Sequence, residues 1–177
     1  MSLRGHNRGD AAHVPVERYL IVSIDARRFA LSADLIQGLL TPEESRSSGT
    51  LSVQGRDYAP LNLAARLGLA DSGDGPESRI VLVARAGVCA CIRVEQVHGL
   101  VELERSHVRP LPDQFRGDER AWYTGLILFD EGVAVGLNSD WLVGGLMQSL
   151  GAVTGHVQRP PQLAQVGFDG MRKGLPC

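Results

Sequence analysis

Lysine, aromatic side chains and long apolar runs are scarce in this 177-residue sequence. Lys173 is the single lysine and lies near the C-terminal end, which excludes a catalytic lysine from the predicted folded body. No segment approaches the roughly 20 apolar residues that cross a bilayer. The first 16 residues also lack an apolar core of signal-peptide length. We therefore predict a cytoplasmic protein without direct membrane insertion.

The chain also has no large excess of positive or negative charge. The formal net charge is −2, the sequence pI is about 6.2, and the arginines are spread along the chain. A nucleic-acid-binding domain usually carries a clustered basic surface, so nucleic acid is excluded as an expected partner. With 44% apolar and 21% charged residues, the composition is that of an ordinary soluble globular domain.

Cysteine is limited to three residues, and their spacing argues against a disulfide or a metal centre. Cys89 and Cys91 lie two apart in a strand-like run, with parallel side chains and α-carbons about 6.6 Å apart. No second cysteine pair and no His-x-x-His pair accompanies them. We interpret both as small apolar residues of a core or interface, with Cys177 as an exposed thiol. No cofactor and no metal is predicted.

Catalytic motifs are missing as well. The chain has no G-x-S-x-G, no phosphate-binding glycine loop and no H-E-x-x-H, so an enzyme is the weaker alternative. His98 and His107 are expected in barrel loops as partly exposed polar residues instead of general bases. A small-molecule-binding barrel is a further alternative, although small barrels are filled by their own side chains.

The most informative stretch runs from Ser52 to Leu69. Gly55-Arg56 predicts a turn, and Pro60 restricts the following strand to an edge or a strand end, so that strand should stop near Leu61. Asn62 is a helix-capping residue, and Gly68 suits a left-handed C-terminal position. The stretch predicts a turn, a strand and one or two turns of helix.

Three β-hairpins are predicted around this stretch. Their strands pair 19–24 with 29–31, 79–84 with 88–94, and 123–129 with 133–137. A further strand covers 99–103, residues 108–112 are extended because of two prolines, and 113–120 form a loop. Ser32 is expected to cap a short turn, and Ser139 to cap a final helix in which Leu142, Leu146 and Leu150 form one apolar stripe before Gly151.

The domain plan follows from these elements. Residues 1–17 are predicted to be a flexible arm, 18–151 the folded domain, and 152–177 a mostly disordered tail. The tail is interpreted as a linker remnant, with a docking peptide as the alternative because of Val166, Phe168 and Met171. Trp141, in the first turn of the final helix, is interpreted as a cap over a barrel, with a partner hot spot as the alternative.

The order of these elements resembles the CheW-like domain, the adaptor fold of bacterial chemosensory arrays. Besides the 52–69 stretch, the similar segments are Val94-Glu95-Gln96-Val97 at a strand end, Val108 to Pro112 as an extended connector, and Trp122 to Gly132 as the last hairpin. The resemblance implies a mainly β fold of two small five-stranded SH3-like β-barrels that share a core, with short helices and a C-terminal helix.

The resemblance also implies function. It implies a non-catalytic adaptor that couples chemoreceptors to a CheA-type histidine kinase, by barrel-to-barrel contact with the CheW-like domain of that kinase. Recruitment to membrane-associated receptor arrays is implied too. Receptor tips in the family dock in a groove between the barrels, which here corresponds to Leu35, Ile36, Leu39, Gln54, Gly55, Val94 and Val97.

The chain departs from the family pattern at three positions. Gln54 stands where the family usually has arginine, Gly38 where it often has glutamate, and Asn62 where it has an acid. An amide does not replace a charged, forked contact at equal strength. An alternative role follows from these departures: a scaffold of a non-flagellar system, controlling pili, gliding or gene expression, that does not bind ordinary receptor tips.

Overall fold

The computed structural model describes residues 15–44, 49–70, 75–130 and 132–144. These residues form a mainly β structure with one short helix, α1, at Leu63–Arg66 and a second helical segment, α2, at residues 139–144. The strands in chain order are β1 Val16–Ile24, β2 Arg27–Ser32, β3 Ile36–Leu40, β4 Leu51–Val53, β5 Arg56–Leu61, β6 Arg79–Arg85, β7 Val88–Val94, β8 Gln96–Glu104, β9 Val108–Arg109, β10 Tyr123–Phe129 and β11 Gly132–Leu137.

The strands divide into two sheets. The larger sheet has the order β8-β1-β2-β11-β10-β9, and the smaller sheet has the order β3-β6-β7-β5-β4. The predicted mainly β, two-sheet architecture is confirmed. The larger sheet has six strands instead of five, because the connector predicted to be extended contributes β9, which pairs with Leu126 and Ile127 of β10.

A hydrophobic core shared by both sheets lies between them, and strand β1 contributes side chains to it. Leu20, Val22 and Ile24 of β1 point into the shared core, whereas Tyr19 and Ile21 point into a separate core of the larger sheet. Both faces of β1 are buried, because alternate side chains of a strand point to opposite sides. This double burial explains why the strand from Tyr19 to Ile24 is apolar at every position except Ser23 and does not alternate.

Each sheet also curls around its own small core. In the larger sheet, Val101 of β8 and Phe129 of β10 come from near opposite ends of the strand order and pack against the same cluster. In the smaller sheet, Leu40 of β3 and Leu51 of β4 do the same. Strands from opposite ends of an order meet only when the sheet curls, so the arrangement is barrel-like in both halves.

The stretch from Ser52 to Leu69 folds closely as predicted. Strand β5 ends at Leu61, and Asn62 Oδ1 accepts a hydrogen bond from the Ala65 amide at 2.9 Å, as a capping side chain does. Gly68 has φ +66° after the helix. The turn lies one residue earlier than predicted, at Gln54-Gly55, so that β5 already begins at Arg56.

Other boundaries differ in detail. Strand β1 begins at Val16 because its first residues pair with the end of β8. Strand β2 begins at Arg27 because its antiparallel pairing with β1 continues up to the two-residue turn Asp25-Ala26. A 3₁₀ turn follows Ser32, but the Ser32 side chain makes no capping hydrogen bond. The second half of the predicted loop 113–120 belongs to a 3₁₀ helix at Gly117–Trp122.

The cap of α2 is a correction to the sequence analysis. Asn138, and not Ser139, caps the segment: Asn138 Oδ1 accepts from the amides of Asp140 at 2.9 Å and Trp141 at 3.3 Å. Leu142 is fully buried in the shared core. Leu146, Leu150, Gly151, the tail 152–177 and most of the N-terminal arm lie outside the described residues. None of the helices described is long and apolar enough to cross a membrane.

Candidate partner-binding site

The residues expected to line a receptor groove divide by burial. Leu35 and Val94 are 1% and 2% exposed and belong to the shared core. Ile36 and Val97 are half-buried and pack against the same core. These four residues therefore share one large core cluster, in which only Ile36 and Val97 offer side-chain surface to a partner. Leu35 and Val94 are part of the buried core itself.

The other three predicted residues are exposed. Leu39 lies on β3, an edge strand of the smaller sheet, and its side chain is 44% exposed. Gln54 and Gly55 form the exposed turn between β4 and β5 and do not belong to the cluster around the shared core. Gln54 has a φ of 50°, a left-handed backbone conformation that is uncommon for residues other than glycine and is found mostly at asparagine, aspartate and histidine among them.

Glu95 connects the two sheets next to this surface. Its amide donates to the Ser23 carbonyl at 2.9 Å, and its carboxylate accepts from the amides of Asp25 at 2.8 Å and Ala26 at 3.2 Å. Glu95 directly follows β7 of the smaller sheet, and Ser23 lies near the end of β1 in the larger sheet, just before the β1–β2 turn. Glu95 therefore holds the first hairpin against the end of β7.

His107 lies in a connection between strands, as predicted, whereas His98 does not. His98 lies within β8 at a bulge, where Ile21 pairs with Gly99 and Val22 pairs with Val97. Its Nε2 lies 2.7 Å from Ser23 Oγ, which is mostly buried. His107 lies in a 3₁₀ turn and is exposed. In the described ranges no three His, Cys, Asp or Glu side chains form a metal-binding group.

Cys89 and Cys91 pack against the smaller-sheet core, as expected for small apolar residues. Both are free thiols. The Cys91 thiol lies 3.8 Å from the Tyr58 carbonyl, and burial raises its pKa, which keeps it protonated at neutral pH. A protonated, half-buried thiol is a packing residue and a poor nucleophile.

Arg66 attaches α2 to the smaller sheet's short helix. Its guanidinium donates to the carbonyls of Leu142 at 2.7 Å and Trp141 at 3.0 Å, and lies 4.3 Å from the centre of the Trp141 ring. Burial lowers the pKa of Arg66. Trp141 also stacks on Trp122 with ring centres 5.3 Å apart, and Arg85 forms an exposed ion pair with Asp140 at 2.7 Å. Trp141 thus packs against the shared core at a junction between elements, which favours the cap over the hot spot.

Sequence reasoning missed the roles of Glu95, Asn138 and Arg66. Glu95 and Arg66 bind backbone groups that are distant in sequence. Asn138 was missed because the cap of α2 lies one residue before the predicted one. Only Asn138 had a local signal, since asparagine two residues before an acid is also a good cap. Sequence reasoning also missed the exposure of Leu100, which is 54%. The bulge at His98 sets which residues of β8 face outward, and the sequence alone does not show this bulge.

The comparisons agree with this geometry. The model of the CheW-like domain matches residues 18–145. A solved structure described as the scaffolding protein TtCheW from Thermoanaerobacter tengcongensis is similar, with a TM-score of 0.60 and 18% identity over 72% of this chain and 92% of that one. A comparison with curated protein sequences gives no match. The family model covers both sheets from residue 18 onward and all of α2 as described, and the chain therefore belongs to the CheW-like domain family.

Proposed function

We propose that this chain is a non-catalytic cytoplasmic adaptor that binds the CheW-like domain of a CheA-type histidine kinase and couples it to chemosensory receptors. The observation that carries the proposal is the family-matched pair of curled sheets, with apolar side chains exposed on an open edge. The solved relative is described as a scaffolding protein, which agrees with a binding role. In this role the protein would be recruited to membrane-associated receptor arrays.

The contact with the kinase is proposed to use the edge of the smaller sheet. Strand β3 pairs only with β6 among the described strands, so one side of its backbone is open, and Leu39 stands exposed on it. An open edge with an exposed apolar residue is a ready pairing surface for another β domain. Two curled sheets of the same family therefore join through such edges without a deep pocket.

The receptor surface is proposed to lie around Ile36 and Val97, beside the Leu39 edge proposed for the kinase. The half-buried Ile36 and Val97 pack on the shared core, and a surface supported by a packed core changes little on binding. Gln54 and Gly55 contribute through their exposed turn if the partner reaches the β4–β5 end.

A specific observation supports the alternative role in a non-flagellar system. A Cβ at Gly38 would meet only Leu82 Cδ1 at 3.7 Å, an ordinary contact, and Gly38 has no positive φ. The fold therefore accepts a larger residue at this position, so packing does not explain the missing glutamate. The exposed Gln54 is equally free of packing constraint. Both departures favour a receptor contact that differs from the family's charged one.

Isothermal titration against the isolated CheW-like domain of the CheA-type kinase from the same organism tests the kinase contact. We expect a dissociation constant in the micromolar range, weakened about tenfold by Leu39→Ser because one exposed apolar contact is lost. Val133→Ser, at a 49% exposed position of the larger sheet, is the matched control and should not change the affinity. Absence of binding by the unaltered protein would overturn the kinase assignment.

The receptor contact has its own test. The double change Gly38→Glu and Gln54→Arg restores the two charged residues of the family pattern. If the departures redirect the adaptor, the double variant should bind a chemoreceptor tip from a flagellar system more tightly than the natural chain. Equal receptor affinity of both proteins would contradict the alternative role.

A further inference from the structure

A cleft opens in the larger sheet between β8 and the end of β10. Its volume is about 350 Å³. The apolar part of its lining includes Ile21, Val101 and Phe129, which belong to the larger-sheet core or pack against it. The polar part includes the exposed carboxylates of Glu102 and Asp130. The cleft therefore joins an apolar interior to an acidic exterior.

An open strand edge borders the cleft. Strand β8 is nine residues long and, among the described strands, pairs only with β1. At the other end of the strand order, β9 pairs with Leu126 and Ile127 of β10 and stops short of Phe129. The curled sheet is thus incomplete at this point, and backbone N–H and C=O groups on the outer side of β8 lack a neighbouring strand in the part of the chain described.

The bulge at His98 shapes this edge. His98 is the extra residue between the Gly99 and Val97 pairs, and its contact with Ser23 fixes it in place. Gly99 has φ +140°, a conformation that favours glycine, and a Cβ built there would meet nothing within 4 Å. The space above this part of β8 is open enough for another backbone to approach.

The charge of the cleft limits what can occupy it. Its lining carries two carboxylates, Glu102 and Asp130, and one imidazole, His98. Glu104 at the end of β8 is exposed too, and the Arg28 guanidinium lies 5.7 Å from the centre of the Phe129 ring, so acidic groups outnumber the one guanidinium. An occupant with lysine or arginine beside its apolar residue would match this charge. The volume, at the small end of the range for ligand cavities, fits one large apolar side chain.

We propose that this cleft binds an extended segment of a partner protein, which adds a strand to the open edge of β8. One apolar side chain of the segment enters between Val101 and Phe129, and flanking basic side chains face Glu102 and Asp130. Main-chain hydrogen bonds supply the affinity in this kind of recognition, and the pocket supplies the specificity. The site lies on the larger sheet, apart from the β3 edge assigned above to the kinase, and does not depend on that assignment.

The test is an NMR titration of the full chain with an acetylated and amidated heptapeptide, Lys-Val-Lys-Phe-Lys-Val-Lys. We expect shift changes concentrated in Gln96–Glu104 and at Phe129 and Asp130. The control peptide has proline in place of both valines, and because proline cannot donate main-chain hydrogen bonds it should bind at least about tenfold more weakly. Equal binding of the two peptides, or shifts spread over other surfaces, would overturn the proposal.

Matched variants separate the site from general attraction of a basic peptide to an acidic protein. Glu102→Gln with Asp130→Asn should weaken binding roughly two- to fivefold, as expected for exposed charge pairs. Glu43→Gln with Asp113→Asn removes the same charge at exposed positions outside the cleft and should leave binding unchanged. The free-protein spectra establish that each variant is folded. Equal weakening by both pairs would show non-specific attraction and refute the site.

Discussion

Glu95 shows what a single residue contributes to this fold. Its carboxylate binds two amides of the Asp25-Ala26 turn, and both of those residues have positive φ, 51° and 54°. Residues other than glycine in this conformation are strained, so the turn needs support from outside. Charge-assisted hydrogen bonds from Glu95 provide that support across the gap between the sheets.

We therefore expect Glu95→Ala to lower the free energy of unfolding by about 1 to 3 kcal/mol, because two turn amides lose a charged acceptor. Glu95→Gln keeps one acceptor oxygen and should cost less. Urea unfolding followed by circular dichroism measures both changes. Glu43→Ala, an exposed acid elsewhere, should stay within about 0.5 kcal/mol of the natural chain. A loss of the same size at Glu43 would contradict the assigned role.

For single residues, the sequence predicted the structural role of a side chain better than it predicted the groups that the side chain binds. The capping role of Asn62 is predictable from local sequence because the amide that its side chain binds belongs to Ala65, only three residues further along the chain. Glu95 was identified only as part of a strand-end pattern, since its bonded amides lie 69 and 70 positions away. Local patterns cannot specify such partners until the sheets are arranged in space. The same limit hid the contact between Arg66 and the α2 carbonyls, 75 and 76 positions away.

The start of α2 shows the same limit for an element. Serine and asparagine are both good caps, and Asn138 and Ser139 are adjacent, so composition alone does not choose between them. Tertiary structure decides: Asn138 ends the β11 segment, where its amide donates to the Trp122 carbonyl at 2.8 Å and its side chain donates to the Ala121 carbonyl at 3.0 Å. The residue held at this corner is the one whose side chain faces the first amides of the helix.

This choice gives a paired prediction. Asn138→Ala should lower the free energy of unfolding by about 1 to 2 kcal/mol, because it removes the cap and the bond to Ala121. Ser139→Ala should change it by less than about 0.5 kcal/mol. Thermal unfolding with tryptophan fluorescence is a suitable measurement, since Trp141 lies in this helix and Trp122 stacks on it. The opposite order of the two losses would restore Ser139 as the cap.

The whole molecule depends on one core shared by two sheets. Ile92 of β7 and Val22 of β1 are both fully buried in it, although they belong to different sheets. Neither sheet keeps this apolar surface from water without the other. The sequence indicated the sharing indirectly, through strands such as β1 and β6 that are apolar on both faces.

We expect the two sheets to unfold in a single transition. Ile92→Ala, in the smaller sheet, should lower the free energy of unfolding by about 2 to 5 kcal/mol through lost burial and a cavity. Hydrogen exchange should then speed up equally for core amides of both sheets, because they open together. Val133→Ala, at an exposed position, should leave both sets unchanged. Faster exchange confined to the smaller sheet would show that the sheets are independent.

The strand order at this scale was only partly accessible to prediction. The three hairpins follow from short turns between apolar runs, and all three are confirmed. The parallel pairings of β2 with β11 and of β5 with β7 join segments far apart in sequence and left no local signal. The burial of the seven residues predicted to line a groove depends on these pairings, which is why they include buried, half-buried and exposed residues.

The distribution of the strands along the chain has a consequence for synthesis. The smaller sheet uses the continuous middle of the chain, β3 to β7, whereas the larger sheet combines β1 and β2 with β8 to β11. On a ribosome the first hairpin emerges early, but its larger-sheet partners are made last. The nascent chain must therefore keep the apolar residues of this hairpin, 19–22 of β1 and 29–31 of β2, from pairing wrongly until β11 has left the exit tunnel. A chain truncated before β11 would expose that hairpin to proteases and chaperones.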